Sequence, residues 1–313
     1  MFGYLGRCVA HLVVTLIGIV TVAFFLMRAI PGDPAQYMLG DYATKEALAV
    51  LREKLGLDRS LVEQYLLFLS RAVQGDLGTS VATGQTALVE IFDSLPASLA
   101  LAMAGLVVAI VLGVPAGVAA AVRQGTWLDV AIMLVALAGI SFPVFWLGLA
   151  SILLFSHKLG IFPALGASSS DGWLAQLHHL ILPSLVLGFS VAAYIARLTR
   201  SAMLEVLSQD YVRVARAMGV PERTVIYRLA LRNAMVPILA VIGVTFAWSL
   251  GNAILIEAVF SRPGVGSTLL KAILARDYQL VQAGVLVLAA GVVLTNTLLD
   301  VAYGVIDPRL RAQ

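Results

Sequence analysis

The stretch at residues 96–122, PASLALAMAGLVVAIVLGVPAGVAAAV, contains no charged side chain. With the rise of an α-helix, about 1.5 Å per residue, it is long enough to cross the hydrocarbon core of a bilayer, which is about 30 Å thick. The whole chain has the same character, since 60% of its 313 residues are hydrophobic and only 12% are charged. A soluble domain carries about 25% charged residues. The sequence therefore predicts an all-α membrane protein.

Five further apolar runs have comparable length, at residues 9–30, 130–155, 180–198, 236–260 and 280–302. We therefore predict about six transmembrane helices, with both termini on one side of the membrane. Arginines concentrate on that side: Arg7, Arg123, seven between residues 197 and 232, Arg309 and Arg311. The short loops opposite contain Lys158, Arg262, Lys271 and Arg276. Because cytoplasmic loops are enriched in basic residues, both termini are predicted to be cytoplasmic.

The predicted spans divide the chain into four parts. Residues 1–30 hold the N-terminal segment and first helix, 31–95 a small extracytoplasmic insertion, 96–303 the transmembrane core and 304–313 a cytoplasmic tail. The insertion has helical periodicity at 45–57 and 60–73, followed by a Gly-Asp-Leu-Gly turn at 75–78. It is either a solvated cap on the bundle or a docking or gating surface, and the sequence favours neither.

The chemistry of an enzyme or an ion-driven carrier is sparse in this chain. No phosphate-binding G-x-x-x-x-G-K-[ST] loop is present, and one cysteine, Cys8, cannot form a disulfide within the chain. The four histidines are not spaced as a metal site: His11, His157, His178 and His179. Glu257 and Asp300 lie near predicted span ends, where solvent or the membrane interface is expected to reach them. We therefore predict no catalytic, cofactor or metal site.

The most informative polar stretch is the loop at 200–235, which contains SQDYVRVARAMGVPER at residues 208–223. Ser208 or Asp210 can cap a short helix, Gly219 suits its end, and Pro221 with Glu222 suits the first turn of the next helix. Two short helices meeting at a basic corner also resemble a DNA-binding helix-turn-helix. A recognition helix needs a free face, however, whereas this second helix continues into the fifth span, so DNA binding is not expected.

This loop resembles the EAA loop of bacterial ABC importer permeases, and most closely the form in the dipeptide, oligopeptide and nickel permease family. Arg-Val-Ala at 213–215 stands where the general pattern has Glu-Ala-Ala, and Gly219 holds the glycine position. Leu-Arg at 231–232 replaces Leu-Pro. The peptide subfamily has Asp-Tyr-Val-Arg-x-Ala-Arg-Ala-x-Gly, which residues 210–219 match.

Other motifs resemble the same family in order along the chain. They are Pro-Gly-Asp-Pro at 31–34, Gly-Leu-Asp at 56–58, Gly-Asp-Leu-Gly at 75–78, Ser-Phe-Pro-Val-Phe-Trp at 141–146, Leu-Pro-Ser at 182–184, Leu-Arg-Asn-Ala at 231–234, Phe-Ser-Arg-Pro-Gly-Val-Gly at 260–266, Arg-Asp-Tyr at 276–278 and Asp-Pro-Arg at 307–309.

The resemblance implies the type I ABC importer permease fold in a bacterial inner membrane and a complex with several partners. These are a homologous second permease, two cytoplasmic ATPase subunits that bind ATP and magnesium, and an extracytoplasmic substrate-binding protein. It also implies that the corner between the two short helices, residues 208–222 (the 208–222 corner), couples to the ATPase. In this role Arg213 and Arg216 face acidic groups, Tyr211 packs and Gly219 allows the turn. The coupling residues are Asp210, Tyr211, Arg213, Ala215, Arg216, Gly219, Val220 and Pro221.

The substrate remains open between alternatives. The resemblance favours short peptides, while nickel or a nickel chelate and glutathione are the alternatives within the same family. An ATP-independent carrier or channel, or a membrane scaffold without transport activity, are the rival classes. Few ionisable residues at membrane depth argue against a carrier, and a scaffold leaves the ordered motifs unexplained.

Overall fold

The computed structural model describes residues 2–29, 34–39, 43–166 and 172–306. Their helices are α1 (Phe2–Ala29), α2 (Pro34–Leu39), α3 (Lys45–Leu55), α4 (Leu61–Val73), α5 (Ala87–Val122), α6 (Trp127–Ser141), α7 (Val144–Ser151), α8 (Trp173–Leu207), α9 (Asp210–Ala217), α10 (Glu222–Thr224), α11 (Leu231–Val259), α12 (Val265–Leu274) and α13 (Tyr278–Ile306). Two π-helical stretches, Ile152–Lys158 and Val225–Ala230, extend α7 and join α10 to α11. The all-α prediction is confirmed.

Several sequence predictions fall outside the described residues. They concern the first three residues of the motif at 31–34, the motif at 307–309, the tail from residue 307 and the side chains of Arg7, Cys8, His11 and Asp300.

Four described helices are long and apolar enough to cross a membrane: Ala87–Val122, Trp173–Leu207, Glu222–Val259 and Tyr278–Thr297. The 28-residue helix α1 adds a shorter apolar stretch, Val13–Leu26, among the described residues. The predicted span at 130–155 is wrong as a single helix, because α6 and the following helix meet at 102°. Counting that pair as one span gives up to five, so the number of crossings and the side of the termini stay predictions.

The break between α6 and α7 follows from proline chemistry. Pro143 has no N–H to donate, and its ring disfavours the helical conformation at the preceding residue. Phe142 accordingly has φ −83° and ψ 132°, which is extended backbone. The helix resumes directly after Pro143, whose carbonyl accepts hydrogen bonds from the backbone N–H groups of Trp146 and Leu147.

The chain divides into two compact units. Of the described residues, one unit comprises those up to Pro96 together with Gly264–Leu298, and the other comprises those between Ala97 and Pro263 together with residues 299–306. The first unit holds the predicted helices at 45–57 and 60–73, which are confirmed with slightly shorter bounds. Thr44 caps α3, and Ser60 with Glu63 forms a capping box at α4, so both starts follow from the sequence. The part boundaries at residues 30, 95 and 303 stay predictions.

Close helix contact organises the second unit. A Cβ on Gly117 of α5 would lie 2.5 Å from the carbonyl oxygen of Ala196 and 2.6 Å from the Cβ of Thr199, both in α8. Only glycine allows this approach, as is common where membrane helices pack. On α6, Asp129 forms a bidentate ion pair with Arg200 of α8, at 2.6 and 2.8 Å. Helix α8 also packs along α11, so it forms the centre of this unit.

Candidate functional site

The 208–222 corner begins where α8 ends at Leu207. Helix α9 follows from Asp210, and its N-cap is Gln209, whose side chain makes no capping hydrogen bond. The prediction that Ser208 or Asp210 caps this helix is therefore wrong. The Ser208 hydroxyl instead donates to the carbonyl oxygen of Glu205 at 2.7 Å. Asp210 lies in the first turn, where its negative charge is favourable at the helix N-terminus.

Helix α9 ends in a left-handed glycine turn, as predicted. Gly219 has φ +78°, a conformation that costs a residue with a Cβ about 1 kcal/mol or more. Its N–H donates to the carbonyl of Arg216 at 3.0 Å, and the N–H of Val220 donates to that of Ala215 at 3.1 Å. This is the Schellman pattern, which satisfies the last carbonyls of a helix. The turn is therefore fixed in direction by its own backbone hydrogen bonds.

The next helix starts directly after the turn and does not end until Val259. Pro221 is its N-cap, and its carbonyl accepts from the N–H groups of Thr224 at 2.8 Å and Val225 at 3.1 Å. The 38-residue segment Glu222–Val259 passes through the π-helical stretch into α11. The short helix at the corner is thus the first turn of a long apolar helix.

One face of α9 is buried against the π-helical stretch Val225–Ala230. Val212 is fully buried and Ala215 is 6% exposed, and they lie three residues apart on the same helix face. Ala215 was predicted as a coupling residue, and its burial places it beneath the exposed surface. Val212 was not predicted as a site residue, although its spacing of three residues from Ala215 is the sequence signal for a buried helix face.

The opposite side of the corner carries polar contacts within the chain. Arg216 pairs with Glu222 across the turn, at 2.7 and 3.2 Å, and this hydrogen-bonded carboxylate raises the pKa of the Arg216 guanidinium. Arg213 pairs with Asp210 on α9. The Arg213 and Asp210 side chains are 72% and 86% exposed, so this pair lies in solvent.

Two contacting residues were missed by the sequence reasoning. Glu222 was assigned only to a helix start, yet it bonds Arg216. The side-chain amide of Asn233 donates to the hydroxyl oxygen of Tyr211 at 2.8 Å and so ties α9 to the start of α11. No sequence spacing indicates a contact between residues 22 positions apart, because it depends on how the corner folds.

Exposed apolar side chains complete the surface. Met218 is 73% exposed, Tyr227 60%, Val214 54% and Tyr211 43%. We define the corner surface as Tyr211, Arg213, Val214, Arg216, Met218, Pro221 and Tyr227. Apolar groups beside exposed charges in a non-spanning segment are typical of a surface that binds another protein. The predicted site residues Asp210, Tyr211, Arg213, Arg216, Gly219, Val220 and Pro221 lie on or directly beside this surface.

Glu257, the ionisable group expected to be solvated near a span end, is fully buried. That expectation is wrong. Its backbone carbonyl accepts from the N–H of Arg262 at 2.9 Å, and Arg262 is itself 9% exposed. Burial lowers the pKa of the Arg262 guanidinium, while the nearby Glu257 charge opposes that shift. Among the described residues, no group of three His, Cys, Asp or Glu side chains is placed to hold a metal ion.

Comparison with known proteins gives the family. Residues 113–312 match the family described as binding-protein-dependent transport system inner membrane component, and residues 1–102 match the family described as the N-terminal part of the membrane component of such a system. The dipeptide transport system permease protein of Alkalihalophilus pseudofirmus is 40% identical, over 99% of this chain and 100% of that protein. The di/tripeptide transport system permease protein of Pseudomonas aeruginosa is 40% identical over 100% of both chains. The glutathione transport system permease protein of Escherichia coli is 40% identical over 99% of both.

These matches cover the chain from end to end and agree with its all-α, apolar architecture. The chain belongs to the family of binding-protein-dependent transport system inner membrane components, and it is a multi-pass permease subunit of an ABC importer.

Proposed function

We propose that this permease forms half of the translocation path for short peptides, and that its 208–222 corner receives movement from a cytoplasmic ATPase. The observation that carries the proposal is the continuity between the corner and the 38-residue helix Glu222–Val259. A protein bound to the corner surface pushes on the first turn of a helix that is long and apolar enough to span the bilayer.

The corner is suited to transmit such a push because it is held at three places. The backbone bonds around Gly219 fix the turn, Val212 and Ala215 pack α9 against the π-helical stretch, and the bond from Asn233 to Tyr211 ties α9 to α11. A displacement of α9 therefore moves the start of Glu222–Val259 with it, and is not absorbed by a flexible hinge.

The two arginines of the corner surface provide docking charges. Arg213 and Arg216 pair with Asp210 and Glu222 within the chain, and all four side chains are more than 40% exposed. Exposed ion pairs contribute about 1 kcal/mol or less, so an acidic group on an ATPase can share or replace these partners at low cost. The apolar side chains of Val214 and Met218 then supply contact area between the charges.

The complete importer has this chain, a homologous second permease, two ATPase subunits that bind ATP and magnesium, and a substrate-binding protein on the opposite side of the membrane. The termini and the corner face the cytoplasm in this arrangement, in agreement with the arginine bias of the sequence. The chain itself performs no hydrolysis and binds no cofactor.

We favour short peptides as the substrate class, because residues 210–219 match the form of the loop in the peptide subfamily and because two relatives named for di- or tripeptide transport are 40% identical to this chain. Glutathione is the second candidate, since a relative named for it is equally similar. Glutathione is itself a tripeptide, so it is similar in size to the favoured substrate class. Nickel or a nickel chelate is a third alternative, which rests on the family resemblance of the sequence alone.

Gentle purification of the tagged chain from its native membrane, with mass spectrometry of the proteins that accompany it, tests the partners. We expect a second permease and ATPases with a phosphate-binding loop. Recovery of the chain alone, still passing solute without nucleotide, would refute the proposal. Uptake of a radiolabelled dipeptide in competition with glutathione and with nickel then identifies the substrate.

Site-specific crosslinking tests the docking surface. Because Cys8 is the single cysteine, Cys8→Ser followed by Met218→Cys places one thiol on the corner surface. We expect a crosslink to an ATPase subunit. Val73→Cys in the same background is the control, since Val73 is 89% exposed but belongs to the predicted insertion. Crosslinking of Val73→Cys with equal yield, or none at Met218→Cys, would contradict the assignment.

A further inference from the structure

The first compact unit contains a cavity of about 100 Å³ that the transport proposal does not use. It lies between the end of α1, helix α4, the turn at 75–78 and the start of α13. Its polar lining includes Arg28, Gln64, Arg71, Arg276, Tyr278 and Gln282. A volume of this size admits a small ion or headgroup but not a peptide, so the cavity is distinct from a translocation path.

Three lining residues each have a buried donor atom that finds no partner among the described residues: Nη1 of Arg28, the hydroxyl of Tyr278 and Nε2 of Gln282. Gln282 is only 6% exposed, so bulk water cannot satisfy its amide freely. A buried donor left unsatisfied is energetically costly, and native structures seldom retain several in one place. Three donors around a single small cavity therefore indicate a bound acceptor.

Arg28 is held in position for such an acceptor. Its Nε donates to Oε1 of Gln64 at 2.8 Å, and its guanidinium carbon lies 3.7 Å from the centroid of the Phe24 ring. These two contacts fix the plane of the guanidinium, and they leave Nη1 buried and without a partner among the described residues. The preorganised fork of arginine is well suited to the oxygens of a phosphate or carboxylate.

The charge balance of the lining selects an anion. Arg28, Arg71 and Arg276 are positive, and Asp76 is the one acidic residue among the described lining. Oδ1 of Asp76 already accepts the backbone N–H of Gly78 at 3.0 Å. A cation is therefore disfavoured.

We propose that this cavity binds a phosphate group, and that its source is the headgroup of an anionic phospholipid. Arg28 lies in the last turn of α1, after the apolar stretch Val13–Leu26, and an arginine at that position is expected to reach the level of the lipid headgroups. Leu57 and Leu67 add apolar lining beside the polar donors. Free phosphate presents the same oxygens and is the other source.

The test uses the complete importer, purified in detergent and stripped of lipid. Its thermal unfolding midpoint and lipid retention, the latter by native mass spectrometry, are measured with phosphatidylglycerol, phosphatidylcholine or inorganic phosphate added. Tyr278→Phe and Gln282→Leu each remove one donor that has no partner among the described residues. Arg28→Gln removes the charge as well. Arg59→Gln is the control, because Arg59 is an exposed arginine outside the cavity lining.

We expect phosphatidylglycerol to raise the unfolding midpoint of the wild type and of Arg59→Gln. Retention of this lipid should fall about tenfold in Arg28→Gln and severalfold in Tyr278→Phe and Gln282→Leu, in line with one lost hydrogen bond to a charged group. A shift with inorganic phosphate alone would support the phosphate site but reject the lipid as its source. Retention of phosphatidylglycerol in the cavity variants equal to that of the wild type would overturn the proposal. If Arg28→Gln does not fold, equal retention in Tyr278→Phe and Gln282→Leu is sufficient for that conclusion.

Discussion

The loop at 76–82 and the 208–222 corner are both irregular segments between helices, but they are fixed by opposite means. The loop at 76–82 is held by Asp277, which lies directly before α13 and is 1% exposed. Its carboxylate accepts hydrogen bonds from the Ser80 hydroxyl at 2.7 Å and from the N–H groups of Val81 at 2.7 Å and Ala82 at 3.3 Å. Its other oxygen accepts from the N–H of Leu280 at 3.1 Å, at the start of α13. One buried carboxylate thus holds a whole loop.

In the corner, the charged pairs lie in solvent. Arg216 and Glu222 are 41% and 54% exposed, and Arg213 with Asp210 is more exposed still. A buried charged acceptor has no water to replace its donors, whereas an exposed pair does. The first loop is therefore expected to be fixed, and the corner is expected to keep its backbone shape while its side chains exchange partners, as a docking surface requires.

The largest effect is expected from Asp277→Asn. Four hydrogen-bond donors already face the Asp277 carboxylate, and an asparagine would replace one acceptor oxygen with an NH2 group that is itself a donor. Because some of these donors then lose their acceptor, the variant should lose about 3 kcal/mol of stability. The measurement is the thermal unfolding midpoint of the purified importer. Asp76→Asn is the control, since exposed Asp76 accepts only the N–H of Gly78 among the described contacts. Equal losses in the two variants would show that burial does not distinguish these carboxylates.

A smaller effect is expected from Asp129→Asn, which sharpens the comparison. Asp129 is 4% exposed and binds Arg200 through both oxygens, but the Arg200 side chain is 27% exposed. In its exposure to solvent, this pair is intermediate between the buried Asp277 carboxylate and the exposed ion pairs of the corner. We expect an unfolding midpoint between those of Asp277→Asn and Arg216→Gln. The double variant Asp129→Asn/Arg200→Gln should lose less stability than the sum of the losses in the two single variants. Full additivity of the two would contradict a direct pair.

Gly219→Ala should cost about 1 kcal/mol through backbone strain alone, because φ is +78° and no atom lies within 4 Å of the added Cβ. Gly219→Asn should cost less, since asparagine tolerates this conformation. Both variants are compared by unfolding midpoint and by recovery of the ATPase. A loss larger for asparagine than for alanine would indicate a side-chain clash and not strain.

The smallest effect is expected from Arg216→Gln. Its partner Glu222 is more than half exposed, so the variant should lose about 1 kcal/mol of stability or less. The loss should be only slightly larger in low salt, where the exposed pair of the wild type is screened less. Recovery of ATPase subunits should nevertheless fall, because the variant removes a docking charge. Strong destabilisation of Arg216→Gln with unchanged ATPase recovery would contradict the comparison, because the Arg216 pair would then stabilise the fold and not serve docking.

Local sequence signals predicted much of this structure. The apolar runs gave the helices, Ser60 and Glu63 gave the start of α4, and Gly219 gave the end of α9. These features depend on neighbouring residues. The carboxylate of Asp277, by contrast, contacts Ser80 from 197 positions away, and no spacing rule indicates it.

The errors have physical causes of the same kind. Hydropathy cannot detect a bend, so the effect of Pro143 on its preceding residue was overlooked in the run at 130–155. The burial of Glu257 depends on tertiary packing, which its position near a span end does not reveal. The capping of α9 was misplaced because Ser208 bonds backward to Glu205, an alternative open to serine near helix ends.

The most direct test of the coupling role compares Gly219→Pro with Gly219→Asn in the reconstituted importer. Proline cannot adopt φ +78° and has no N–H for the carbonyl of Arg216, so it must reshape the corner, whereas asparagine preserves it. Substrate uptake and ATPase stimulation by the loaded binding protein are measured in complexes of equal subunit composition. We predict that both are lost in Gly219→Pro and retained in Gly219→Asn. Normal uptake in the fully assembled Gly219→Pro importer would contradict the assignment of the corner as the coupling element.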